Sequence, residues 1–184
     1  MAQLSIFTAD SLPEAHEHQI RSFIRLHWHD EYQYSLDGPL VPAERHPTHL
    51  VIHDRHALFS HGRIIWVDFA HAGETYRLYC LGDVLTYPAF RKRGHGTEIV
   101  VAATRLIRDD PLADAAILFT GEETTSFYAT HGWEVMPTLR ASYGHPIAPE
   151  PALGRPMMLF VSDRAKARRA DFEHMEMKLP GWGW

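Results

Sequence analysis

A mixed α/β fold is what this 184-residue sequence predicts, and three stretches carry the prediction. Between residues 48 and 91, the runs "THLVIHD", "RHALFSHGRIIWVDFAH" and "ETYRLYCLGDVLTYPAF" read as consecutive strands, the last two joined by a turn at "AHAGET". They form an antiparallel meander. Ile99, Val100, Ala103, Leu106 and Ile107 then recur at spacings of one, three, three and one, the stripe of a helix from about 97 to 108 that Pro111 closes. The short apolar run "AAILFT" at 115–120 reads as a buried strand after it.

The flanking elements follow the same rules. "QLSIFT" at 3–8 reads as a strand, and Asp10 or Ser11 offers a cap for a helix through "LPEAHEHQIRSFIRLHW", with Ile20, Phe23, Ile24 and His27 on one face. "HDEYQYSLDGPLVPAERHP" fits neither period and is expected as a long loop or broken helix. In the helix at 97–108, Glu98 in the first turn and Arg105 and Arg108 in the last match the helix dipole. "ETTSFYATHG" forms a short helix stopped by Gly132, and strands follow near "WEVMPTLRASY" and "MMLFVSD", on either side of the proline-rich "GHPIAPEPALGRP". "RAKARRADFEHMEM" has helical propensity, its charges expected on a solvated face, and leads into "LPGWGW". Without repeats or low-complexity tracts, the chain reads as one domain over 1–184.

Composition narrows the function classes. A hydrophobic content of 45% supports one substantial core, while a formal net charge of −5 argues against a nucleic-acid binder and leans toward a cationic partner. The one cysteine, Cys80, excludes an intramolecular disulfide and reads as a small buried hydrophobe. The first residues lack the basic start and long apolar run of a secretory signal, and no stretch approaches the roughly 20 apolar residues that cross a bilayer. A soluble, cytoplasmic protein without a membrane partner is expected. Among 14 histidines, the pairs His16/His18, His27/His29 and His53/His56 lie on different elements and lack the His-Glu-x-x-His spacing and cysteine ligands of metal sites. The 14 histidines are expected as surface residues, with no metal.

The stretch "AFRKRGHGTEIV" at 89–100 follows a strand and opens a helix. Its glycines permit a turn that points several main-chain N–H groups at one anion, and the helix start adds partial positive charge. A simple basic turn is the equal alternative on these residues alone. Neither the dinucleotide fingerprint nor the P-loop fits, because Ile99 stands where the first needs a small residue and Thr97-Glu98 where the second needs Lys-Ser or Lys-Thr.

Taken with "SFYATHGW" at 126–133, the series Arg91-x-x-Gly94-x-Gly96, Phe127-Tyr128 and Gly132-Trp133 resembles the GNAT superfamily of N-acetyltransferases, over almost the whole chain. The resemblance implies that fold: a twisted, mostly antiparallel sheet with one splayed parallel strand pair, here about 76–87 and 115–120, and helices on both faces. It implies acetyl-coenzyme A as cosubstrate, its pyrophosphate on Arg91, Lys92, Arg93, Gly94, His95 and Gly96. The pantetheine arm would lie along Val84, Leu85 and Thr86, with an N–H near Leu85 facing the thioester oxygen. Within the superfamily the chain looks most like the aminoglycoside 2′-N-acetyltransferases, on "THLVIHDRHALFSHGRIIWVDF", "SFYATHGW" and the final tryptophan. That likeness implies direct transfer to a primary amine of a small cationic acceptor, such as an aminoglycoside or amino sugar, and a homodimer. Two positions depart from it: a glutamate-glycine pair stands here as Gly82-Asp83, and an acid near the end is Trp182.

The reaction needs an unprotonated amine, a stabilised oxyanion and a proton for the leaving thiolate. By the family pattern Tyr128 supplies that proton; a core tyrosine is the alternative. Asp83 and Glu31 are candidates to accept the amine proton or simply to attract the cation. Trp182 and Trp184 are expected to dock on the body and line the acceptor site. The rival readings are a peptide or protein amine as acceptor, reached by the loop at 29–47, and a noncatalytic acyl-coenzyme A sensor.

Overall fold

The computed structural model describes residues 2–28, 40–143 and 154–179. The elements run β1 (Gln3–Thr8), α1 (Glu14–His27), β2 (Thr48–His53), β3 (Leu58–His71), β4 (Glu74–Thr86), α2 (His95–Asp109), β5 (Ala115–Thr120), α3 (Thr125–Ala129), β6 (Glu134–Val135), β7 (Arg140–Tyr143), β8 (Arg155–Phe160), α4 (Asp163–Ala167), α5 (Arg169–Glu173) and β9 (Glu176–Leu179). Seven strands form one sheet in the order β1-β2-β3-β4-β5-β8-β6, and β7 pairs with β9 in a second. Pairing is antiparallel at β1–β2, β2–β3, β5–β8 and β6–β8, and parallel at β4–β5. The β4–β5 ladder joins Leu78, Tyr79 and Cys80 to Ala115, Ala116 and Ile117, and the two strands continue past it without further pairs to each other. This is the mixed, mostly antiparallel sheet with a splayed parallel pair that the sequence led us to expect, flanked by helices.

Contacts gather the described residues into two compact units, the first from Met1–Ile65 with Asp83–Ala103, the second from Trp66–Gly82 with Thr104–Trp182. In the first, α1 buries Ile20, Phe23 and Ile24 against Val51, Leu58 and Leu85. His27, on the same stripe, stays exposed and packs its ring 4.2 Å from Phe23. The helix does not start from Asp10 or Ser11. Thr8 and Ser11 close a 3-10 turn on each other, and Pro13, whose φ of −60 suits the entry and which needs no donor there, caps α1. Farther along, α2 opens at His95 instead of 97, because Glu98 N reaches back to Gly94 O at 2.9 Å. Its buried Ile99 lies so close to Gly62 that a methyl group on that glycine would collide with the Ile99 Cγ2.

The second unit turns β3 into β4 on Ala72 and Gly73, whose φ values of 49 and 80 are the left-handed pair of a tight hairpin. Leu78, Cys80, Ile117, Trp133, Met157 and Phe172 are buried in it, Cys80 as the small hydrophobe expected. Trp133 Nε1 donates to Thr104 Oγ1 at 3.1 Å. Asp114 is a buried hub: its carboxylate accepts from Arg77 N (2.9 Å), Ser162 Oγ (2.7 Å) and Arg164 Nη2 (2.5 Å).

The last segment corrects the sequence reading. The backbone leaves helical geometry at Arg168 and His174, so "RAKARRADFEHMEM" becomes α4, α5 and the start of β9. Its charges are not merely solvated: Arg164 binds the Asp114 hub, and Arg169 pairs with Glu134 at 2.8 Å and with Glu173. Among the described residues, no helix is long and apolar enough to cross a membrane.

Candidate active site

The turn between β4 and α2 has the backbone of an anion nest. Lys92 and Gly94 carry φ values of 59 and 84, while Arg93 between them is not left-handed, the alternation of hand by which a nest turns successive N–H groups to one side. By helix geometry the amides of His95, Gly96 and Thr97 lack acceptors within α2. Residues 91–94 are exposed, and a Cβ added to Gly94 would meet nothing within 4 Å. Two of the three basic side chains are occupied locally: Arg91 Nε donates to Thr86 O at 3.1 Å and Arg93 Nη2 to Ala89 O at 3.1 Å. The amides therefore offer the better defined grip, and a pyrophosphate fits this donor set.

The end of β4 is held against β3 within the same unit. Ser60 Oγ donates to Leu85 O at 2.6 Å and lies 2.9 Å from Thr86 Oγ1, and Tyr87 N donates to Phe59 O at 3.0 Å. Asp83 sits just before, with a left-handed φ of 51. Its carboxylate meets Arg63 Nη1 at 2.9 Å, the two side chains 8% and 1% exposed. The sequence reading made Asp83 a candidate base or cation anchor; its carboxylate faces a buried guanidinium, a partner that reading did not see.

Next to this pair the structure buries two histidines. His49 is opposite Arg63 in the β2–β3 register, and His61 is two residues before Arg63. His49 Nδ1 lies 3.0 Å from His61 Nε2. Burial, then the Arg63 charge, pushes the His49 pKa down from 6.5 to about 4, with Asp83 and Glu17 opposing. Burial, then His49 and Arg63, holds His61 well below 6.5. Both are neutral at pH 7, and one ring donates to the other. The expectation of surface histidines is corrected for these two. The signal was present in the sequence: polar residues at alternating positions of strands otherwise too apolar to face water.

Tyr128 lies in the second unit, on α3, which Gly132 (φ 89) helps to end. The side chain is buried, and that burial raises the phenol to about 12 against the opposing hydrogen bond with Thr120. It keeps its proton throughout the neutral range.

Among the described residues, no group of three or more histidine, cysteine or acidic side chains is arranged to hold a metal ion. Glu31, Trp182 and Trp184 lie outside the described residues, as do most of the loop at 29–47 and of the proline-rich excursion.

A family model described as an acetyltransferase (GNAT) domain matches residues 7–136. No curated protein matches the sequence. Among solved structures, Escherichia coli ElaA is 13% identical with a TM-score of 0.63, covering 86% of this chain and 99% of that one. An acyl-CoA N-acyltransferase from Pseudomonas aeruginosa is 15% identical with a TM-score of 0.62 and the same coverage. The GNAT family N-acetyltransferase YhbS of Escherichia coli, solved with CoA, is 15% identical with a TM-score of 0.56, covering 89% of this chain and 83% of that one. At these identities the likeness is one of fold.

Proposed function

This chain belongs to the acetyltransferase (GNAT) domain family, and on that premise we propose that it moves an acetyl group from acetyl-coenzyme A directly to a primary amine. The observation that carries the cosubstrate is the alternating left-handed turn at Lys92 and Gly94, opening onto α2. Arg91 to Gly96 hold the pyrophosphate, and the main chain of Val84, Leu85 and Thr86 runs beside the pantetheine arm. Acetyl-coenzyme A supplies the activated thioester. An N–H near Leu85 stabilises the oxyanion as the amine nitrogen bonds to the acetyl carbon. The carbon–sulfur bond then breaks, and Tyr128, protonated because burial holds its pKa near 12, gives its proton to the thiolate.

The acceptor we favour is a small cationic amine of the aminoglycoside or amino sugar class, supported by the net charge of −5 and the resemblance of the strands and the C-terminus. Glu31, Trp182 and Trp184 are the proposed acceptor contacts, and Glu31 is proposed to take the proton that the amine nitrogen gives up as its bond to the acetyl carbon forms, the Asp83 carboxylate being paired with Arg63. We further propose a single functional domain in the cytoplasm, able to form a homodimer and without nucleic-acid, membrane or metal partners.

An amine panel tests this reading. Acetyl-coenzyme A consumption with an aminoglycoside or amino sugar supports it, and consumption with peptide amines alone moves the acceptor to the protein class. Coenzyme A binding without turnover of any amine makes the chain a sensor. Within the enzyme reading, Tyr128→Phe is expected to lower kcat by roughly 10- to 100-fold with KM for acetyl-coenzyme A unchanged, because a thiolate of pKa about 8.5 still departs unaided. An unchanged kcat removes the acid role.

A further inference from the structure

Among the described residues with positive φ, Asp83 is the one inside a strand; the others sit in turns, loops or caps. Glycine adopts this backbone freely, whereas a residue with a Cβ is strained in it. An aspartate here needs a reason, and Arg63 supplies it. The guanidinium is buried on β3, on the same face as His49 and His61, and Asp83 is in ion-pair contact with it. The histidines are held neutral beside that charge, so they add no second cation.

We infer that Arg63 and Asp83 form a positioning pair, which locks residue 83 left-handed and thereby sets the course of Val84, Leu85 and Thr86. The inference deepens the acetyltransferase reading and, for its catalytic part, rests on it. Downstream of Asp83 the same strand is fixed again, by Ser60 at the Leu85 carbonyl and by the Phe59 carbonyl at Tyr87 N. Gly62 leaves room over Val84, whose Cγ2 would be 3.7 Å from a Cβ placed there. Thus Phe59, Ser60, Gly62 and Arg63 between them face every residue of the 83–87 segment, Ser60 meeting both Leu85 and Thr86. The main chain that must face the thioester is aimed from behind by β3, and Asp83 acts through its conformation instead of by taking a proton.

Three full-length variants test this: Asp83→Gly, Arg63→Met and the two combined. One readout is amide hydrogen exchange over residues 83–87, which needs no turnover; the other is kcat and KM for acetyl-coenzyme A with the best amine acceptor. Asp83→Gly keeps the backbone permitted but strands a buried positive charge, so exchange in the segment is expected to rise roughly 10-fold or more. In the same variant kcat should fall about 30-fold while KM for acetyl-coenzyme A stays within about threefold. Arg63→Met leaves the Asp83 carboxylate in place but removes its lock, so it should raise exchange and lower kcat by similar factors, and the double variant, which lacks the pair altogether, should stay within about threefold of Asp83→Gly in both readouts.

Unchanged exchange in Asp83→Gly overturns the inference whatever the activity. Arg63→Met with the exchange and kcat of the parent, beside an Asp83→Gly whose acidic limb in the pH profile is gone, overturns it by making Asp83 the base. A parent chain that turns over no amine, yet shows the exchange response in both Asp83→Gly and Arg63→Met, supports the pair while sinking the acetyltransferase reading.

Discussion

Gly94→Pro is expected to raise the dissociation constant for coenzyme A by roughly 100-fold or more, whereas Lys92→Ala raises it by only about threefold. The first change demands a φ near −65° where the backbone has +84, and it deletes an N–H from the nest. Either effect dismantles the alternation of handedness that aims the amides. The second removes one exposed, salt-screened charge. Gly96→Asp belongs with the severe changes for another reason: a Cβ there would lie 3.6 Å from Thr86 Oγ1, an ordinary contact, so the fold accepts the side chain but its carboxylate opposes the pyrophosphate. Isothermal titration at fixed ionic strength, with a thermal melt to verify folding, reads all three. If Lys92→Ala proves the most damaging, charge and not amide geometry holds the cosubstrate.

The second large effect is acid lability. His49 titrates near 4 in the folded protein and near 6.5 when unfolded, so between those values the unfolded chain binds more protons. The stability that depends on a neutral His49 is complete above about pH 6.5 and is lost as pH falls toward 4, an effect of about 3 kcal/mol. His61 acts in the same direction. Asp54, Asp110 and Asp114, whose pKa values lie below the usual 3.8, lose their contribution only at lower pH. The melting temperature should therefore drop by roughly 10 °C between pH 6.5 and 4.5. His49→Gln, which keeps a hydrogen-bonding group beside His61, should flatten that slope. A melting temperature constant across this window would show that the histidine pair does not resist protonation.

Much of the fold was legible because burial imposes a period. The apolar runs of β2, β3 and β4 and the stripe of α2 were evident along one chain, since each depends on its own residues facing one core. The nest was equally local: glycine spacing before a helix marked it. What escaped the sequence depends on which strands become neighbours. Arg63 and Asp83 are 20 positions apart, and no local pattern says that a left-handed residue in β4 will lie against an arginine in β3. His49 and His61 were read as solvated for the same reason. The final segment was misread because helical propensity favoured one helix, whereas pairing of β9 with β7 draws Glu176–Leu179 into a strand. Of the site candidates, the nest and the end of β4 come together in the first unit through Arg91 and Thr86, while Tyr128 keeps its proton in the second.

The Asp114 hub has a bearing on how the protein is made. Its partners Arg77, Ser162 and Arg164 lie 37, 48 and 50 positions away along the chain, and β8 must insert between β5 and β6 to complete the sheet order. On the ribosome, the first unit has all its described segments once residue 103 has been synthesised. The second must wait with two of the carboxylate's donors, Ser162 and Arg164, still missing and a sheet edge open until the chain has passed residue 164. During that interval β5 is the strand most exposed to a wrong neighbour.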